Sequence, residues 1–320
     1  MSFTFFRYTI CLFLLSRLAL AQTYSQEIQI TSENDAYRWT LHDGYYTNGF
    51  FVSYRYVPRR WNERLDSTSR LQKVISTYQL GQQIFNPENV FLAQRNQIDR
   101  PYTGYLYASK GFTFFYRRNH VLQLDLALGT IGPRSGAENI QKFIHRTFDY
   151  IPPVGWRNQL NNEWGLNLNA QYAYNLIPAP KKWLDLYALG QAQLGTTFTR
   201  ASVGLLLQIG LFRPASESAL FHSRISRNPS SSSPELYLFF QPRYQYQVYN
   251  ATVQGGLFRS SKGPGAGEIT RGIYQHQIGL TYASRRFTLQ ATLDLKQKEA
   301  RSMQNEVEKY GGFSAAYRFR

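Results

Sequence analysis

The chain has 320 residues, with 36 Lys and Arg against 20 Asp and Glu, a formal net charge of +16, 16% aromatic residues and only 18% charged ones. At 43% hydrophobic it is too apolar for a disordered basic tail, and beyond the N-terminus no run of about 18 apolar residues supports a membrane-spanning helix. What remains is the average that β-strands give when one face meets lipid and the other a polar lumen.

The N-terminus reads as an export signal. Arg7 is the positive flank, Tyr8–Leu20 is mostly apolar, and Ala19-Leu20-Ala21 is an A-x-A cleavage site. Residues 1–21 are therefore expected to be a signal peptide and 22–320 a single β-barrel domain. An uncleaved anchor helix is the alternative, and the short apolar run argues against it. Cleavage removes Arg7 and Arg17, lowering the charge from +16 to +14. It also removes Cys11, the only cysteine, so the mature chain has no thiol chemistry.

Beyond the signal, period two dominates. Phe50, Val52, Tyr54 and Tyr56 share one face, against Phe51, Ser53 and Arg55. Leu122, Leu124, Leu126 and Leu128 oppose Gln123 and Asp125, and Leu289, Ala291, Leu293 and Leu295 oppose Gln290, Thr292 and Asp294. A soluble sheet alternates too. Apolar faces ending in Tyr and Phe, and polar faces that are small and mostly uncharged, favour a transmembrane barrel. The alternation predicts strands near 25–34, 45–57, 71–85, 102–116, 119–131, 162–177, 182–195, 198–213, 234–249, 270–284, 286–298 and 309–319. That is an all-β, antiparallel barrel of about twelve strands, an even number; 251–259 is a possible further strand. With both termini in the periplasm, 35–44, 86–101, 132–161 and 250–269 face outward. The polar segment 214–233, with Asn228-Pro229 and Ser230–Ser233, then falls on the periplasmic side, where turns are usually short.

One stretch breaks the rhythm. Ser135–Phe148 places Ile140, Phe143, Ile144 and Phe148 at helical spacing, between Gly132-Pro133 and Pro152-Pro153. A short amphipathic helix in an outward loop is expected there, as a lid on the barrel mouth or a support holding His145 over an opening.

Polar residues gather where strand logic expects bland ones. Glu33-Asn34-Asp35 ends the first strand and Tyr45-Tyr46-Thr47-Asn48-Gly49 opens the second. A hairpin brings Asp35 and Thr47 to one rim, where carboxylate, amide and hydroxyl oxygens suit a hard cation such as calcium. Gln141 lies one helical turn before His145, whose neutral imidazole suits the activation of water. Asn-Asp is also an ordinary turn, and a lone loop histidine is often only solvated. Asp99-Arg100 before Pro101 reads as a structural ion pair at a strand start, Trp156 as an interface anchor or helix support, and Glu163 as the partner of an inward arginine or a residue that reaches the metal, the pairing being favoured.

The ordered motifs Glu33-Asn34-Asp35, Tyr46-Thr47-Asn48-Gly49, Asp99-Arg100-Pro101-Tyr102-Thr103-Gly104-Tyr105-Leu106-Tyr107, Gly129-Thr130-Ile131-Gly132-Pro133, Gln141-x-x-x-His145, Gly155-Trp156 and Gln159-Leu160-x-x-Glu163 resemble the lipid A 3'-O-deacylase family of outer-membrane barrels. The likeness runs from about 27 to 175; from 180 onward only barrel character persists.

The resemblance implies a twelve-stranded barrel whose calcium-dependent site, between the wall and a loop helix, hydrolyses the 3'-acyloxyacyl ester of lipid A. It implies His145 as the base that activates water, Asp35 and Asn34 as metal-holding and orienting residues, and Thr47 as part of the same site. The family's loop lysine has no counterpart, since 86–98 contains no Lys. Arg95 and Arg100 are the expected contacts to substrate phosphate. The expected partners are lipid A or lipopolysaccharide and the outer membrane. Nucleic acid is excluded by dispersed basic residues and export, and a monomer is expected. A non-catalytic barrel or pore and an outer-membrane phospholipase are the alternatives.

Overall fold

In the computed structural model, each predicted strand pairs with its sequence neighbours, and the first closes on the last. The structure describes residues 23–38, 44–65, 68–91, 94–177, 183–227 and 233–320. The predicted signal peptide and most of the Asn228–Ser233 stretch lie outside these. The strands are β1 (Gln26–Asn34), β2 (Tyr46–Tyr56), β3 (Leu71–Phe85), β4 (Thr103–Tyr116), β5 (His120–Ile131), β6 (Glu163–Asn175), β7 (Leu184–Gly195), β8 (Phe198–Leu211), β9 (Glu235–Asn250), β10 (Gly272–Ala283), β11 (Phe287–Gln297) and β12 (Val307–Phe319). All pair antiparallel in one closed barrel, so every strand edge is satisfied. Short helices are α1 (Arg59–Asn62), α2 (Ala137–Thr147) and α3 (Ala251–Gln254). The region weighed as a thirteenth strand is α3 followed by loop. Among the described residues no helix is long and apolar enough to cross a membrane.

Register separates the faces. Ile28 stands opposite Tyr54 and Ile30 opposite Val52, and this row points outward with Leu80, Leu126 and Leu128, all exposed. The intervening row, with Glu27, Gln29, Ser53 and Arg55, is buried in the lumen. Alternation thus records a wall with lipid outside and polar groups within.

Packed segments occupy both ends of the lumen. At the end where β1 begins and β12 finishes its wall turns apolar, with Val57, Ile75, Phe115, Tyr187, Leu206, Tyr237 and Phe239. The segment after β8 folds up into this ring and packs Ala215, Phe221 and Ile225 against it. Lys73 Nζ donates to the carbonyls of Ser216 (2.8 Å) and Ser223 (2.6 Å), and Arg224 pairs with Glu235 at 2.9 Å. The long connection after β8 is therefore a plug, which accounts for its length; its small and aromatic residues fill a core rather than solvate a loop.

At the outer end Tyr45, Val253, Ile269, Ala300 and Met303 form an apolar cluster among the loops. Beneath it, Arg100 pairs with Glu299 at 3.0 Å, donates to Thr252 Oγ1 at 3.2 Å and lies over the Phe85 ring. Arg200 (3.8 Å) and Lys296 (2.5 Å) also approach Glu299. Burial alone would raise the Glu299 carboxyl; Lys296, Arg100 and Arg200 outweigh it and hold the group down at about 2. Between plug and cap is a polar chamber of about 330 Å³, lined by residues such as Gln123, Asn169, Gln191, Arg243 and Gln275.

Candidate active site

The predicted helix forms, but it does not cover the barrel mouth. In β3 the outward row continues through Leu80, Gln82 and Ile84, and Ile84 registers with Gly104 of β4. At this level the outward row is no longer exposed. Ile84, Tyr102, Ala137 and Trp156 form a buried cluster, and Gln82 Nε2 donates to the Ser135 carbonyl at 2.7 Å. The helix α2 lies on the outer wall, over β3 and β4, rather than as a lid.

Local sequence dictates that docking. Gly132 adopts φ +81°, and its bare Cα faces the backbone of Asn161 and Asn162. At Gly104 a Cβ would run into Ser135 Oγ and Ala137 Cβ, so only glycine admits the start of the helix there. One face of α2 is buried, carrying Ala137, Gln141 and His145 at a spacing of four. Gln141 Oε1 accepts from Trp156 Nε1 at 2.8 Å, and Gln159 Nε2 donates to Glu138 at 3.1 Å. Trp156 is fully buried and stacks obliquely on Tyr102, with centroids 5.2 Å apart, so it supports the helix from inside.

His145 is held by its own segment. Its Nδ1 lies 2.8 Å from the carbonyl oxygen of Ile151, and the Tyr150 ring stands edge-on to the imidazole. A carbonyl can only accept, so Nδ1 carries the proton and Nε2 is the basic nitrogen.

The strand-end residues gather on β1 and β2, and β2 pairs with β3, one of the two strands under α2. Asn34 stands opposite Asn48 across β1 and β2, in the outward row. A bulge between Tyr46 and Asn48 releases Thr47 from the regular ladder. Thr47 is buried, and its Oγ1 accepts from Asn86 Nδ2 at 3.0 Å. Asn34 Oδ1 accepts from the Ala36 amide at 2.7 Å, turning the chain out of β1. Asp35 begins the following 3-10 turn; it is buried and accepts from the Gly44 amide at 2.6 Å. That turn also folds outward, with Tyr37 edge-on to Phe313 at 5.1 Å and bonded to Ser32 at 2.8 Å.

The two arginines fare differently. Arg95 opens a 3-10 turn, Arg95–Gln97, and its side chain lies outside what is described. Arg100 is fully buried beneath the outer cap. Its ion pair is with Glu299 rather than its neighbour Asp99, which accepts from Tyr45 OH at 2.7 Å. Glu163 lies 3.8 Å from Arg259, an exposed loop arginine rather than the inward one expected.

Asn86 was not singled out in the sequence. It is fully buried, and its Oδ1 has no hydrogen-bond partner. Its only sequence signal is Asn86-Pro87 at the end of a strand. Calcium takes oxygen ligands, neutral carbonyls and hydroxyls included. Asp35, Thr47 and Asn86 offer that chemistry, and the orphaned amide oxygen fits such an ion. Among the described residues no three His, Cys, Asp or Glu side chains converge on one point.

The family model described as "Outer membrane protein LpxR" matches residues 8–319. Among solved structures, LpxR from Salmonella typhimurium superposes with a TM-score of 0.73 at 16% identity, covering 92% of this chain and 100% of that one. The β domain of the Bordetella autotransporter BrkA gives a TM-score of 0.46 at 9% identity, covering 93% of this chain and 99% of that one. No curated protein matches by sequence.

Proposed function

The chain belongs to the LpxR family of outer-membrane proteins, and on that premise we propose that it is a lipid A deacylase hydrolysing the 3'-acyloxyacyl ester. The observation that carries this reading is the location of the polar groups. His145 faces the outside of the wall from α2, and Asn34 and Asn48 lie in the row that lower down carries Ile30, Val52 and Phe50. An amphiphile can approach such a place sideways from the bilayer, with its headgroup level with the amides and its chains against the apolar row.

His145 is the base of the proposed reaction. Nε2 takes a proton from water as the water oxygen bonds to the ester carbonyl carbon. The carbon–oxygen ester bond then breaks, and the same proton passes to the departing alkoxide. The products are a free carboxylic acid and a sugar hydroxyl. The Ile151 carbonyl keeps the tautomer correct and stabilises the imidazolium while the proton is held. Asp35, Thr47 and Asn86 would hold calcium, which when bound supplies a Lewis acid for the ester carbonyl. Asn34 orients the turn that presents Asp35.

The test is mass spectrometry of lipid A from an outer-membrane host expressing the wild type or His145→Ala. Loss of one acyloxyacyl mass with the wild type alone supports the reading. Intact lipid A with a folded wild type and calcium present sinks it, and phospholipid turnover instead would reassign the substrate.

A further inference from the structure

The two faces of α2 are the reverse of those on a water-borne helix. Such a helix buries its apolar stripe and exposes its polar one. Here the row against the wall is Ala137, Gln141 and His145. The outer row carries Ile140 and Phe143, the latter 69% exposed. The chain beyond continues the patch with Phe148 (65%), Ile151 (70%) and Val154. In water a contiguous apolar surface of this kind would be an association hazard.

The height of the helix identifies its surroundings. The start of α2 rests on Gly104. Two residues along β4, about 7 Å lower on the wall, is Leu106, which registers with Thr130 and through it with Trp164. Trp164 is 62% exposed in the outward row, where indole rings mark a membrane interface. Below it on the same surface are the exposed Leu128, Leu166 and Leu168. The start of α2 therefore stands just above the lipid-facing belt. The polar residues of the helix frame the apolar patch: Asn139 and Arg146 are exposed, and Arg134 lies over the Trp164 ring.

We propose that α2 and the segment through Val154 form an interfacial element seated in the outer leaflet, with Ile140, Phe143, Phe148, Ile151 and Val154 among lipid acyl chains and Asn139 and Arg146 at the headgroups. The surface geometry matches that of helices lying in a membrane plane, apolar side down by 5–10 Å. The helix thereby joins the membrane surface, and a neighbouring lipid can pack its chains on the patch while its headgroup stands level with the wall–helix cleft. This inference rests on the outer-membrane placement of the family and not on the deacylase reading, so either can fail alone.

The experiment uses the full-length protein with Cys11→Ser, and single nitroxide labels at Asn139→Cys, Phe143→Cys, Arg146→Cys, Ile151→Cys and, as a lipid-facing control, Leu166→Cys. Each is reconstituted in vesicles containing lipopolysaccharide. Labels at 143 and 151 should collide with dissolved oxygen several-fold more than with a water-soluble nickel complex, as at 166. Labels at 139 and 146 should show the opposite ratio. Nickel accessibility at 143 and 151 equal to that at 146 overturns the proposal. So does dipolar broadening at 143, which would mean that a second copy covers the patch. Gel-shift on heating establishes for each variant that the barrel is folded, so an unfolded sample is not read as a result.

Discussion

His145 Nδ1 and the Ile151 carbonyl oxygen, six residues apart and 2.8 Å from each other, form a clamp that spans the end of α2. The clamp does two things at once: it fixes the ring against rotation and places the proton on Nδ1, leaving Nε2 as the basic nitrogen. Replacing His145 with Ala or Gln should lower deacylation by about 10²–10⁴-fold, the usual worth of a positioned general base, with the barrel's heat-modifiability on gels unchanged. Retention of more than a tenth of the activity in either variant would remove His145 from the mechanism.

Gly104 admits the helix to the wall because it has no side chain. Gly104→Ala should lift the start of α2 and strain the Ile84–Tyr102–Trp156 cluster, at an overpacking cost of about 1–3 kcal/mol. The expected outcome is a folded barrel with strongly reduced turnover and increased protease cleavage between 133 and 155. Wild-type turnover in this variant would show that α2 need not be closely docked.

Glu299 is the carboxylate that three cations share at the outer cap, and Lys296 also reaches Glu308 at 3.3 Å. Glu299→Gln leaves Arg100, Arg200 and Lys296 around a neutral amide, and breaking one side of a buried pair costs about 3–5 kcal/mol. Loops 86–102, 251–271 and 298–306 should become protease-sensitive together. The pH dependence follows from the lowered carboxyl. Its stabilisation is complete above the ordinary glutamate range near 4.5 and is lost as pH falls through about 2. Limited proteolysis should therefore find the cap intact at pH 5.

The plug predicts electrical silence. In planar bilayers the wild type should pass no steady current at pH 7.5, and deletion of 215–225 should open a conductance. His222 adds a pH dependence. Its enclosed site, with the Arg55 and Arg318 guanidiniums nearby, holds its pKa well below the usual imidazole value. A released segment takes up a proton below about pH 6.5 that the packed one refuses, so packing weakens as pH falls below that value. Current at pH 5.5 that His222→Leu suppresses would meet this expectation; identical traces at both pH values would refute it.

Most of the barrel was legible because a wall between lipid and water forces period two on every strand, as the Leu122–Leu128 and Leu289–Leu295 rows show. The helix was legible from its apolar spacing, although its position was not. Ile140 and Phe143 suggest a helix resting on something, and only the register of Ile84 and Gly104 shows that its other face meets the wall. The plug was hidden because Ala215, Phe221 and Ile225 carry no periodicity; their meaning comes from a ring of residues contributed by many strands. Asn86 was hidden for the same reason, since its burial beside Thr47 depends on a bulge in another strand.

The position of α2 on the outside of the wall divides the cylinder by sector. The helix is seated on β3 and β4, whereas β7 to β12 chiefly complete the circumference, and plug and cap are held from both halves. Ordered motifs accordingly crowd the first half of the chain and thin out in the second. The far sector should accept lipid-facing exchanges of one apolar residue for another with little effect on chemistry, which makes it the natural place for tags, labels or a surface for immobilisation.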